Sequence, residues 1–382
     1  MARGPPRAAA GLKALLLGST GVLGRRVAAE LIRSAEVETL LLGGRDPSAL
    51  TALGRMFGSG DKIQTVLWDA GNGLELPAGT GSLDVVVSCA GPAYVTEVAA
   101  ARTAVSGGVH YVSLNDEHRP ASRVLELHDA AVAAGTTVIS GCGLSPGLTD
   151  VLAASAATDM DEIEEIEVSV AVSSADDGGP ASALHMMASL SGPASFVSEG
   201  RYLEGPAGGS PRLVYFPEPV GWVETFRLGH PEVVTLRRVF PDVASLGFRS
   251  GLTERAVMDA LRAVTRGGLA STDRSRRAWT ALTGPVRPLL EKLPPRGAPW
   301  TSARVDVWGS RRGHKLQASL AVVDHLANLA SVTLAFAALE IGSGRCGKPG
   351  VRSAAEVFEP QALLAALDGR GIRAARLEPA VV

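Results

Sequence analysis

The stretch LLLGSTGVLGRR, Leu15–Arg26, runs from three leucines through a turn with glycines at 18, 21 and 24 into a segment of helical periodicity. The leucines suit a strand buried on both faces, and VLGRRVAAELIRSA suits a helix packed beside it. Glycine permits the tight turn and lets backbone amides approach an anion, while the helix N-terminus adds partial positive charge. Strand, glycine turn and helix in this order therefore predict a pyrophosphate site. A glycine pattern alone is weak. What makes it specific is the strand before it, the helix after it and a second strand, TLLLGG, at the right distance. The plainer alternative is a glycine-rich turn that binds nothing.

Working outward, the first 150 residues keep the same rhythm. KALLLG, TLLLGG, IQTVLWD, LDVVVSCAG, HYVSL and TTVISGCG read as strands, separated by helix-period segments such as PSALTALGRMF, AYVTEVAAARTAVSG and RPASRVLELHDAAVAAG. Six strands alternating with helices predict an α/β fold: a Rossmann-type doubly wound parallel sheet over 11–150, after a flexible N-terminus at 1–10. Past LSPGLTDVLAASAA the rhythm changes. An acidic run, DMDEIEEIE, leads into VSVAVSS and a loop, ADDGGP. Further strands are expected at RLVYF, EVVTLRRVF and SARVDVWG, and helices at GLTERAVMDALRAVTR and RRAWTALTG. These make 151–325 a second, mixed α/β (α+β) domain for substrate binding and dimerisation. The segment 326–382 is expected to return to the Rossmann domain.

The totals bound the function. A chain of 382 residues suits two domains, and 46% hydrophobic with 20% charged residues describes a folded globular protein. A formal net charge of -2 gives no reason to expect nucleic acid or an anionic membrane. Cys89, Cys142 and Cys346 are odd in number and far apart, so no disulfide framework or metal site is expected, and a reducing cytoplasm fits. The apolar stretch Leu320 to Ile341 carries Asp324, His325 and Glu340, which argues for a buried or interface helix rather than a membrane span. As a helix apolar on more than one face it must be covered by its own fold or by a partner, and a twofold homodimer through the second domain is expected.

At the tip of the second strand, TLLLGGRDP, an NAD-binding domain usually keeps an acid for the ribose. This chain has Gly43, Gly44 and Arg45 there. Arg45 is placed to meet a 2'-phosphate, which predicts NADP(H). Asp69, ending the third strand, would lie by the adenine or else cap its own loop.

Taken together, GSTGVLG, GGRDPSAL, VVVSCAGPA, GVHYVSLNDE, SGCGLSPGLTDVLA and GKPGVRSAAEVFEPQALLAALDGRGI resemble the saccharopine dehydrogenase-like oxidoreductases. The likeness covers about 1–150 and 316–378. It implies an NADP-binding Rossmann domain, a second domain that often pairs subunits, and hydride transfer to an imine or a conjugated double bond. It also implies cofactor contacts from Gly18, Ser19, Thr20, Gly21, Leu23, Gly24 and Arg45, with Ser88, Cys89, Ala90 and Gly91 along the nicotinamide side. One position departs from the family, which often shows an acid in HYVD where this chain has Ser113.

The protein must orient a substrate and move a proton, because hydride transfer belongs to the cofactor. No tyrosine has a lysine four residues later, so the tyrosine-lysine pair of short-chain dehydrogenases is missing. Candidates for catalysis sit near strand ends: Tyr94, facing ring or solvent, and the polar cluster Asn115, Asp116 and Glu117. His185, on a helix in PASALHMMASL, would roof the pocket or merely pack. Cys89 is read as packing rather than nucleophilic, and His110 and Tyr111 as core. From Arg262 to Arg312, ten arginines and Lys292 face three acids. That excess would suit a carboxylated or carrier-bound substrate, or be a solvated surface.

The expectation is an NADPH-dependent reductase of a small metabolite, acting at C=N or next at C=C. Alternatives are an opine-type condensing reductase joining an amine to a keto acid, and a non-catalytic NADP-binding redox sensor.

Overall fold

In the computed structural model β1 (Leu12–Leu17) is buried almost along its length, as a strand covered on both faces must be. The structure describes residues 11–377 apart from 59, 70–75, 77–81, 177–178, 270–271, 273, 276–277 and 279–298. The N-terminal ten residues and the expected helix RRAWTALTG lie wholly or largely outside that range. After the glycine turn, α1 (Val22–Arg33) turns Val27, Ala28 and Leu31 inward. Then follow β2 (Val37–Gly44), α2 (Pro47–Phe57), β3 (Ile63–Leu67), β4 (Val85–Ser88), α3 (Ala93–Ser106) and β5 (His110–Ser113). The long helix expected over 119–135 is broken into α4 (His118–Val124), a tight turn and α5 (His128–Ala133), before β6 (Thr137–Ile139).

These strands form one parallel sheet in the order β6-β5-β4-β1-β2-β3, the doubly wound Rossmann order, extended beyond β6 by a short strand, Gly350–Val351. Leu15, Val86, Tyr111 and Val138 share its core with Ala100 and Ala104 of α3. The order reverses between β1 and β4, and a dinucleotide binds beyond the carboxyl ends of the strands at that point.

The chain divides into two compact units. One takes in Met1–Asn115, Arg119–Gly143 and Ser331–Phe358, the other Asp116–His118, Leu144–Ala330 and Glu359–Val382. The second is built on α6 (Leu148–Ala157) and a mixed nine-stranded sheet. Its strands are β7 (Glu162–Val172), β8 (Pro193–Ser198), β9 (Arg201–Pro206), β10 (Gly209–Phe216), β11 (Gly221–Arg227), β12 (Ser245–Leu252), β13 (Thr301–Arg311), β14 (His314–Asp324) and a closing strand, Ala374–Leu377. Three helices belong with it: α7 (Gly179–Ser191), α8 (Glu232–Val239) and α9 (Arg255–Arg266). β12 runs parallel to β7, while β13 and β14 follow antiparallel.

Three sequence readings are corrected here. EVVTLRRVF is a helix, not a strand. Its β-branched residues favour a sheet, but Glu232 in the first turn and Arg237 and Arg238 in the last complement the helix dipole, and Val233 and Leu236 share one buried face. The acidic run does not precede its strand but begins it, since β7 starts at Glu162. The apolar stretch 320–341 is not one helix. It finishes β14 and restarts as α10 (Leu326–Gly342), whose first amide donates to Asp176 Oδ2 at 2.7 Å.

α10 is buried within the chain at Leu329, Leu334 and Ile341 among others, so it needs no partner to cover it. Of the C-terminal segment, 331–358 lies in the first unit, whereas Ala374–Leu377 pairs with β14 in the second. Among the described residues no helix is long and apolar enough to cross a membrane.

Candidate functional site

The glycine turn has three glycines with two different tasks. Gly18 has φ +70° and a Cβ there would lie 2.7 Å from the Cys89 carbonyl carbon; at Gly24 it would lie 2.1 Å from Gly18 O. Neither position admits a side chain, so both fix the close approach of β1, β4 and α1. Gly21 is exposed and has ordinary dihedrals, and its Cβ would meet only Gly18 O, at 3.3 Å. It caps α1 without any side-chain hydrogen bond, and no acid occupies the first turn. By contrast, α2 is capped by Asp46, whose Oδ1 accepts from Ser48 and Ala49 N–H. The bare N-terminus of α1 is the end that suits a pyrophosphate.

Arg45 stands exposed just past β2. Asp46, the next residue, is committed to its helix cap, so among the described residues 43–46 no carboxylate is left to hold a ribose 2'-hydroxyl. These residues fit NADP(H). Ser19 is fully buried and donates its hydroxyl to Gly43 O at 3.0 Å, so its side chain ties the turn to β2. Thr20 and Leu23 are half-buried at the turn and helix start, and Thr20 O accepts from Arg25 Nε at 3.0 Å. Ser88 is buried at the end of β4, Cys89 and Ala90 are half-buried, Gly91 is exposed, and Asp69 is half-buried after β3. Burial pushes the Cys89 thiol far up, which suits packing rather than nucleophilic attack.

The catalytic candidates separate. Tyr94 is exposed on α3. Asn115 is buried and its Nδ2 donates to Ser140 Oγ at 3.0 Å, in a network around Glu97. Ser113 donates to the same Glu97 at 2.6 Å, so an acid does stand beside that position, supplied by α3. Asp116 and His185 meet within the second unit, Oδ1 to Nδ1 at 3.2 Å. Glu117 adds a nearby negative charge.

Around that pair is a cluster the sequence did not disclose. The His230 ring lies edge-on to His185 at 5.4 Å and stacks on Phe248 at 3.9 Å. His230 Nδ1–H donates to Glu232 Oε2, and the buried Glu232 carboxylate also accepts from Ser145 and from Thr149, the latter at 3.0 Å. His118 donates from Nδ1 to His230 O at 3.3 Å and accepts the Tyr202 hydroxyl at Nε2, 3.0 Å. Three of the chain's seven histidines thus gather in one place. The available signal was GHPEV, a histidine and a glutamate two apart, of which only Glu232 and Val233 fall in EVVTLRRVF, the run expected to be a strand.

The electrostatics favour a charged pair. The surrounding protein opposes charge on Asp116, but the His185 and His230 imidazoles together hold its carboxyl below the ordinary value. Burial likewise opposes charge on His185, and the Asp116 charge beside it outweighs this, so its imidazole titrates above the ordinary value. Glu232 is held down against burial by His230 and Ser145. His185 Nε2 faces Ser189 Oγ at 3.2 Å. An imidazole whose protonated form is favoured by a neighbouring carboxylate, with 18% of its side-chain surface exposed, is equipped to give a proton and recover it.

Part of the basic stretch is used internally. Arg304 pairs with Asp306, Arg262 lies 3.6 Å over the Phe226 ring and donates to Gly208 O, and Arg311 faces Asp159 at 3.4 Å. Much of the remainder lies outside the described residues.

Residues 14–139 match the family model described as the saccharopine dehydrogenase NADP binding domain. Among solved structures the chain is similar to a saccharopine dehydrogenase (L-Glu forming) from Saccharomyces cerevisiae, with 14% identity and a TM-score of 0.69, covering 96% of this chain and 100% of that one. It is also similar to an amine dehydrogenase from Mycobacterium smegmatis, with 13% identity and a TM-score of 0.51, covering 92% of this chain and 98% of that one. At such identities the likeness to these structures is one of fold.

Proposed function

We propose that this chain, whose residues 14–139 match the saccharopine dehydrogenase NADP binding domain, is an NADPH-dependent reductase acting on the C=N bond of a small metabolite, with a conjugated C=C bond as the next choice. The observation that carries this reading is the Asp116–His185 pair at 3.2 Å. Bound NADPH supplies the hydride. His185, charged through Asp116, holds a proton at a ring nitrogen for the substrate nitrogen. Asp116 stabilises the imidazolium before transfer. His230, fixed by the buried Glu232, orients His185 from its edge.

An imine gains most from this arrangement, because its nitrogen is basic enough to take the proton and the adjacent carboxylates favour the resulting cation. We place the reaction in cytoplasmic biosynthesis. The working assembly in this reading is a homodimer formed through the second domain.

His185→Ala should lower the rate of NADPH oxidation by about a hundredfold or more, the usual contribution of a positioned acid, while leaving NADPH affinity unchanged. A folded His185→Ala protein with unaltered turnover would remove His185 from the mechanism.

A further inference from the structure

Glu97, on α3, keeps 1% of its surface exposed, and hydroxyls from two strand ends converge on its carboxylate. Tyr111 donates to Oε2 at 2.9 Å, while Ser113 and Ser140 each donate to Oε1 at 2.6 Å. Tyr111 and Ser113 belong to β5, and Ser140 directly follows β6. Asn115 joins the network through Ser140, and Gly141 N–H reaches Ser113 Oγ at 3.2 Å.

A buried carboxyl is costly to ionise unless donors share its charge. Three O–H groups pointed at two oxygens are what an ionised carboxylate needs, since that form only accepts. The Tyr111 phenol agrees: burial first, and then the Glu97 charge, push it well above its ordinary value.

The network lies at the carboxyl ends of β5 and β6, on the side of the switch point that in a doubly wound sheet takes the nicotinamide half of a dinucleotide. That ring carries a positive charge when oxidised and none when reduced. A fixed negative charge in a poorly solvated surrounding therefore discriminates between the two forms.

We propose that Glu97 sets the redox preference of the bound cofactor, its carboxylate favouring the cationic oxidised ring over the neutral reduced one and so making bound NADPH a stronger hydride donor. Glu97 acts as a positioning residue through its charge, whatever substrate is reduced.

The test is a set of binding titrations, which need no turnover. In Glu97→Gln, NADP+ should lose affinity on the order of tenfold relative to NADPH, as expected for removing a unit charge acting across protein. The ring-free fragment 2'-phospho-ADP-ribose should bind as before. An unchanged ratio of NADP+ to NADPH affinity in the folded variant overturns the proposal. So does an equal loss for the ring-free fragment, which makes Glu97 a brace of the fold. The unmutated protein supplies a reading of its own: NADP+ should bind more tightly than tetrahydro-NADP, a neutral unreactive analogue, and equal or weaker binding overturns the proposal even if Glu97→Gln fails to fold.

Discussion

At the tip of β2 one guanidinium, that of Arg45, is expected to decide between two cofactors. Arg45 is exposed, and the neighbouring Asp46 is held by the α2 amides, so a 2'-phosphate at this turn would meet a cation and a ribose hydroxyl no free carboxylate among the described residues 43–46. A charge-assisted contact of this kind contributes roughly 1.5 to 3 kcal/mol. NADPH should therefore bind at least about tenfold more tightly than NADH, and Arg45→Ala should erase most of that difference; paired calorimetric titrations check it. In the second unit the telling residue is His185. Its raised pKa means that the proton-donating form persists above the ordinary imidazole range and is lost as pH rises through the shifted value. Reduction should fall along that limb, and Asp116→Asn, by removing the charge that raises the imidazole, should move the limb to lower pH. A pH profile of kcat/KM in both proteins reads it directly. Glycines and an arginine at fixed offsets from a strand could be proposed from the sequence because backbone geometry relates such positions to a phosphate. His230 and Glu232 were not, because only the folded second sheet brings them beside His185.

At the scale of elements, the strand, turn and helix of Leu12–Arg33 separate folding from binding. A side chain at Gly24 must enter the space of Gly18 O, 2.1 Å from where its Cβ would be, so Gly24→Val should destabilise the protein by about 1–3 kcal/mol or more, as overpacking does. At Gly21 a Cβ would press only on Gly18 O, at 3.3 Å, and this is the position expected to face an anion. Gly21→Val should keep its melting temperature within a few degrees, since ordinary surface changes cost little, yet lose NADPH binding. Thermal unfolding and cofactor titration on the two variants distinguish these roles. The first sheet was readable because strands buried on both faces leave continuous apolar runs between helix-period segments. The α8 reading failed because Val-Val-Thr suits a sheet, and helix ends and tertiary packing overrode that preference. The stretch around α10 failed at its boundary, since an apolar strand end and an apolar helix start share one composition when both are buried.

For the whole molecule, the expected assembly is a twofold dimer through the second domain. The apolar helix that first suggested it is buried within the chain, so the support is now the exposed apolar side chains of the outer strands: Leu213 on β10 and Trp222 on β11, each more than half exposed, and Tyr202 and Leu203 on β9. Light scattering at micromolar concentration should give twice the chain mass, and Trp222→Glu should return it to one chain. The assignment of a reaction rests on more than assembly, and one measurement reaches it. The protein is incubated with NADPH carrying deuterium at the nicotinamide C4 and a mixture of imines, conjugated enones and ketones, and the products are weighed by mass spectrometry. One deuterium on the carbon of a new amine, lost in His185→Ala while NADPH still binds, is the result this account predicts. Deuterium on an enone or ketone carbon, with every amine unlabelled, would contradict it.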